Sequence, residues 1–153
     1  MPGTTMPAAR KRLIELCQAH PSAPPDGVTY EEPPPERAGP ECIYVGAVQT
    51  AEVEDIALKA NRRRRREVYE MQVVCKALVA GGSQYDADVR AALMLQVVDE
   101  TVADYPSLSG ADLVTDQQIE SCLVTGWETD EGGAVESSWR GFLVTVRVAA
   151  RLL

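Results

Sequence analysis

Two long stretches of the sequence place apolar side chains at every second position. The first runs from Tyr69 to Val79, and the second runs from Phe142 to Leu152. A repeat of two residues is that of a β-strand that buries one face against a core. Long alternating strands are typical of antiparallel or mixed sheets, so we expect a sheet of that kind with one face covered.

Two predicted helices can cover that face of the sheet. Residues 6–19 carry apolar side chains at helical spacing and predict a short N-terminal helix. A longer helix is predicted from Ser83 to Asp104, because Ser83 and Asp86 have the spacing of a capping box. Its predicted apolar stripe comprises Ala91, Leu95, Val98, Val102 and Tyr105. The expected fold class is therefore α+β, with the long helix packed on one face of the sheet.

The remaining segments are less regular in pattern. Residues 42–49 predict a strand, whereas residues 50–61 are ambiguous between a short helix and a loop. Residues 118–127 predict another strand. Residues 128–134 contain Gly132-Gly133, which tolerates positive φ, and predict a hairpin loop.

A proline-rich stretch separates the first helix from the sheet. Residues 21–40 contain seven prolines, and each proline fixes φ and lacks a backbone donor. This composition predicts an extended connector or arm. A chain of 153 residues is long enough for one core and is expected to form a single domain, 1–153, that carries this arm.

Charge is distributed unevenly along a chain whose net charge is −8. Residues 84–137 contain twelve carboxylates and one basic side chain, Arg90. The strongest basic cluster directly precedes the first alternating stretch and comprises Arg62, Arg63, Arg64, Arg65 and Arg66. Such asymmetry bears on the choice of partners rather than on the fold.

Three interpretations of the arginine cluster remain open at this point. At the start of a strand, Arg63 and Arg65 would point to one side, and Arg62, Arg64 and Arg66 to the other. Guanidinium groups arranged in this way can bind carboxylates of a protein partner. They could also form a solvated strand end that discourages edge pairing, or a nucleic-acid site.

The sequence contains no recognisable catalytic motif and no close cluster of metal ligands. The cysteines, Cys17, Cys42, Cys75 and Cys122, are widely spaced and are expected to be reduced and buried. We therefore expect no enzymatic activity, cofactor or metal. No apolar stretch approaches the length needed to cross a bilayer, so no membrane partner is expected.

The order of these segments resembles that of the tail terminator, or tail-completion, proteins of long-tailed bacteriophages. The resemblance lies in "RRRRREVYEMQVVCKALVAGG" (62–82), "DADVRAALMLQVVDETVADYPSLSG" (86–110) and "SSWRGFLVTVRVAARL" (137–152). It covers about residues 41–153 and the helix at 6–19. The chain departs from the pattern in its long proline-rich stretch and in Ser109-Gly110, where paired glycines are expected.

The resemblance implies a structural virion protein that forms a hexameric ring. Such a ring caps the tail tube, ends its polymerisation and joins the tail to the head connector or stopper protein, while DNA passes through without specific binding. The implied location is the virion neck, after assembly in the cytoplasm of the host bacterium. Arms or loops at 21–40 and 128–134 are the candidate contacts with the tube or connector.

A ring needs two different complementary patches on each subunit. The basic patch is expected at residues 62–66. The candidate acidic residues are Glu128, Asp130, Glu131, Asp99 and Asp104. Two alternatives remain: another neck protein, such as a head-completion or stopper protein, and a nucleic-acid-binding module that uses the arginine cluster.

Overall fold

The computed structural model describes residues 3–34, 37, 39–57, 63–134 and 137–152. Its elements are α1 (Met6–Gln18), β1 (Val28–Thr29), β2 (Glu41–Ala57), β3 (Arg63–Ala80), α2 (Gln84–Asp104), β4 (Gln117–Ala134) and β5 (Ser137–Leu152). The strands form one sheet in the order β1-β2-β3-β5-β4. Only β1 runs parallel to its neighbour, and the other pairings are antiparallel. The predicted α+β class with a mixed sheet is confirmed.

The alternating stretches form the two central strands. In β3 the odd-numbered side chains from Tyr69 to Ala77 are at most 2% exposed, and in β5 Val144, Val146 and Val148 are fully buried. These side chains pack in one core with buried residues of both helices. The opposite face of the sheet bears no described helix, and we call it the open face.

The long helix begins with the predicted capping box. The Ser83 hydroxyl accepts a hydrogen bond from Asp86 N–H, and the Asp86 carboxylate accepts one from Ser83 N–H. The predicted stripe is only partly correct, because Leu95 is half-buried and Tyr105 is 39% exposed. The buried residues are Ala87, Ala91, Met94, Val97, Val98, Thr101 and Val102. A helix that lies flat on a sheet buries two adjacent columns of side chains rather than one.

Two segments that were not predicted as strands prove to be extended. The part of 50–61 that the structure describes, residues 50–57, continues β2 and pairs with β3 as far as Ala57↔Arg63. The prediction of a loop at 128–134 is wrong, since these residues continue β4 and pair with β5. Gly132 does not form a turn there. Its lack of a side chain makes room for the Trp139 ring, because a Cβ at this position would lie 2.4 Å from the indole nitrogen.

The first half of the proline-rich segment is part of the folded body. Gly27 C=O accepts a hydrogen bond from Ile43 N–H at 2.8 Å, and β1 pairs with β2 just beyond it. From α1, Gln18 donates to Val28 C=O, and Arg10 donates to Tyr30 C=O. Residues 21–30 therefore cover one edge of the sheet.

Candidate assembly surfaces

The arginine cluster lies at the end of the sheet where β3 begins. Arg62 is outside the described residues, and Arg63 is the first residue of β3. Arg65 and Arg66 are exposed. The side chain of Arg66 lies 3.5 Å from the carboxylate of Glu120 in β4, and Arg151 of β5 forms an ion pair with the same carboxylate. Residues 63–66 together with Arg151 are called the arginine end below.

The arginine end pairs along its backbone with the last described residues of β2. In the β2–β3 register, Glu54 is opposite Arg66 and Asp55 is opposite Arg65. The sequence interpretation missed this arrangement because residues 50–57 were not recognised as a strand. The sequence does contain a signal for this pairing. Two adjacent acidic residues, Glu54 and Asp55, precede the arginines by about the number of residues that a tight turn between two strands requires.

Glu131 is used within the subunit. Its carboxylate accepts a hydrogen bond from Arg140 at 2.6 Å, and Arg140 also donates to Asp88 of α2 at 2.7 Å. This cluster ties the start of α2 to the β4–β5 hairpin. It leaves Glu131 less available to a partner than the sequence suggested.

The cluster predicts a defined pH dependence of stability. The hydrogen bond from Arg140 lowers the pKa of Asp88 below its ordinary value of 3.8. A carboxyl group whose pKa falls on folding stabilises the protein above its unfolded pKa, and that contribution is lost as the pH falls through the folded pKa. We expect the stability difference between the protein and its Asp88→Asn variant to be constant above about pH 5 and to shrink below about pH 4. Urea denaturation across this range measures it, and a difference that grows on acidification would contradict the assignment.

Glu128 and Asp130 lie together on the open face. They line a shallow hollow of about 420 Å³, here called the open-face hollow, between β2, β3, β5 and β4. Its other lining residues are Tyr44, Val74, Lys76, Thr129, Trp139, Gly141, Phe142 and Leu143. Lys76 is directed at the Trp139 ring, with its ammonium nitrogen 4.7 Å from the ring centroid. The hollow thus combines an apolar floor with two carboxylates and one ammonium group, which lies over the Trp139 ring.

The remaining predicted residues, Asp99 and Asp104, are exposed in the second half of α2. That helix covers the opposite face of the sheet from the open-face hollow. The structure therefore divides the predicted acidic patch into three separate places. Only Glu128 and Asp130 adjoin one another on the open face.

A buried polar cluster near the arginine end was not predicted. Glu67 is 5% exposed and accepts hydrogen bonds from Thr5 N–H at 2.6 Å and from the Thr5 hydroxyl at 2.7 Å. The Tyr69 hydroxyl lies 3.0 Å from the same Thr5 oxygen. Since Thr5 directly precedes α1, Glu67 joins the start of that helix to the strand that carries the arginines.

The four cysteines are free and buried, as predicted from the sequence. Burial raises the pKa of Cys17 and of Cys122 to about 12, and it also raises the pKa of Cys75. Only the thiolate reacts readily with thiol reagents. We therefore expect the folded chain to resist labelling by Ellman's reagent at pH 8, and all four thiols to react in urea. Rapid labelling of the folded chain would contradict this arrangement.

Within the described ranges, no three His, Cys, Asp or Glu side chains are grouped so as to hold a metal ion. Neither described helix is long and apolar enough to span a bilayer.

The chain matches no protein-family model, and none of the curated proteins searched is similar to it. Among solved structures, it is similar to a chain of the virion of the native gene transfer agent (GTA) particle. The TM-score is 0.59 at 15% sequence identity, and the similarity covers 97% of this chain and 99% of that chain. At this identity the similarity establishes a shared fold over almost the whole of both chains.

Proposed function

We propose that this chain is a structural virion protein that forms a hexameric ring on the end of a tail tube. The ring ends tube polymerisation and joins the tail to the head connector or stopper protein. The observation that carries the proposal is the fold that it shares, over nearly its full length, with a chain of a gene transfer agent virion. The resemblance of residues 41–153 to tail terminator proteins agrees with it.

The arrangement of charge on the sheet supports assembly into a closed ring. A ring interface joins one patch of a subunit to a different patch of its neighbour. The arginine end and the open-face hollow are two such patches, of opposite charge, on one subunit. Further acidic side chains on the outer surface of α2, among them Asp99 and Asp104, reduce the attraction for DNA that passes through a channel.

The chain's partners in this proposal are further copies of itself, the tail tube protein and the head connector or stopper protein. DNA passes through the ring without specific binding. The protein assembles in the host cytoplasm and resides in the virion neck. Residues 21–30, which pack on the sheet edge, and the β4–β5 hairpin are the candidate contacts with the tube or connector.

Docking on tail tubes tests the proposal. Purified chain is mixed with tail tubes of the same particle and examined by sedimentation and by electron microscopy. We expect the chain to sediment with the tubes and to form a cap at one end of each tube. A chain that stays monomeric and never sediments with tubes would overturn the proposal.

A nucleic-acid-binding function is tested in the same preparation with duplex DNA. Such a module would bind DNA at low salt, and the affinity would fall steeply as salt releases counterions. We expect no measurable binding, because Arg66 and Arg151 lie beside the carboxylate of Glu120 and the chain as a whole carries a net charge of −8. Salt-sensitive binding that is lost in an Arg65→Ser/Arg66→Ser variant would favour the nucleic-acid module.

A further inference from the structure

We propose that the open-face hollow is the receptor for the arginine end of a second copy of this chain. The inference rests on the proposed ring and specifies which two surfaces of adjacent subunits meet. It assigns Glu128 and Asp130 as the carboxylates that bind the neighbour's guanidinium groups.

The chemistry of the hollow suits a guanidinium group. Within the described part of the chain, the side chain of Glu128 forms no hydrogen bond or ion pair, and the one hydrogen bond to the Asp130 side chain comes from the adjacent Glu131 N–H. The floor includes Tyr44 and Leu143, and Leu143 is 37% exposed. A guanidinium group can stack on an aromatic ring and bind a carboxylate in a bidentate manner.

The arginine end carries more positive charge than the carboxylate of Glu120 neutralises. Arg66 and Arg151 share the single carboxylate of Glu120, and their side chains remain 45% and 52% exposed. A second carboxylate from outside the subunit would complete this cluster. The open-face hollow supplies two carboxylates for that purpose.

The geometry of the sheet requires that the contact be made between copies. Val74, in the floor of the hollow, lies eight residues after Arg66 on the same strand. At about 3.3 Å per residue this separation is about 26 Å, far beyond the reach of an arginine side chain. Both surfaces belong to one continuous sheet, so a subunit cannot fill its own hollow. Because the two patches differ, their union is heterologous and generates a ring or a filament.

The other predicted acidic residues are less suitable receptors. Glu131 is held by Arg140, whose side chain is only 17% exposed. Asp99 and Asp104 lie on the helix that covers the other face of the sheet. They therefore provide matched controls that carry the same charge outside the proposed contact.

Cross-linking between two cysteine variants tests the contact directly. Arg65→Cys and Asp130→Cys variants are purified separately, mixed with and without tail tubes, and treated with a short bis-maleimide. The native thiols are buried, so the introduced ones should react first. We expect a covalent dimer that contains one copy of each variant. The control pair, Arg65→Cys with Asp99→Cys, should give at least about tenfold less of this product.

A charge-removing variant gives an independent measurement. Glu128→Gln/Asp130→Asn should weaken the association of subunits on tail tubes by about tenfold or more. Asp99→Asn/Asp104→Asn changes the net charge by the same amount and should leave this association nearly unchanged. Circular dichroism verifies that both variants fold.

The outcomes separate this inference from the proposed function. Rings on tubes without the mixed cross-link, or with equal effects of the two double variants, would overturn the inference and leave the ring in place. The absence of both assembly and cross-link would overturn both. A mixed cross-link together with selective loss in Glu128→Gln/Asp130→Asn would support the contact.

Discussion

Reversal of charge at the arginine end is expected to abolish assembly on tail tubes. In the proposed contact between copies, an Arg65→Glu/Arg66→Glu variant would place carboxylates against Glu128 and Asp130 of the neighbouring subunit. Like charges brought together at an interface cost several kcal/mol, which corresponds to a loss of affinity of roughly a hundredfold or more. Sedimentation with tubes over a range of salt concentrations measures the effect.

Two controls make this result interpretable. Lys11→Glu/Arg90→Glu changes the net charge by the same amount at side chains of the two helices that are 65% and 50% exposed. It is expected to assemble normally. Because Arg66→Glu also faces Glu120 within the subunit, a milder Arg65→Gln/Arg66→Gln variant is needed and should weaken assembly without that repulsion. Normal assembly of both arginine variants would contradict a role for this end.

The largest effect on stability is expected at Glu67. Replacement of Glu67 by Ala leaves the Thr5 backbone N–H without its acceptor, and the Thr5 hydroxyl with only the Tyr69 hydroxyl 3.0 Å away, in a site where Thr5 is 0% exposed. Buried donors that lose a charged acceptor cost about 2–4 kcal/mol in total. For a chain of this size the melting temperature should fall by roughly 3 °C for each kcal/mol. Urea and thermal denaturation measure both quantities.

The matched control is Glu70→Ala on the open face of the same strand. Glu70 is 3.4 Å from Arg147, and both side chains are partly exposed. A pair of this kind contributes about 0–1 kcal/mol. If Glu67→Ala proved no more destabilising than Glu70→Ala, then Glu67 would not anchor the N-terminal helix as described.

The central strands and the helices could be predicted from local pattern alone. Alternation identified β3 and β5, and the spacing of Ser83 and Asp86 identified the start of α2. These signals are local because each reflects one face of one element. The same patterns predicted that one face of the sheet is covered by helices, since a strand with one apolar face needs a second layer to bury that face.

The outer parts of β2 and β4 could not be predicted in the same way. Residues 128–134 are acidic and glycine-rich, a composition that is rare in strands. They are extended because β5 offers a complete row of backbone partners as far as Ala134↔Ser137. Tertiary pairing here overrides local preference, and the same holds for residues 50–57 beside β3.

The candidate surfaces were only partly predictable for a related reason. The uneven charge was visible in the sequence, but the contact of Arg66 with Glu120 joins residues on different strands of the sheet. The division of the acidic residues among three places likewise depends on strand register and on the face that each residue occupies. A single sequence shows the sign of the charge in each segment. Which of these charged side chains remain free to bind a partner depends on the pairing of strands and on the ion pairs formed within the subunit.

The length of tails made without this chain tests the central proposal most directly. Particles are assembled in cells that lack the chain and examined by electron microscopy. If the chain caps the tube, the tails should be overlong, variable in length and not joined to heads. Tails of normal length that are attached to heads would contradict the proposal.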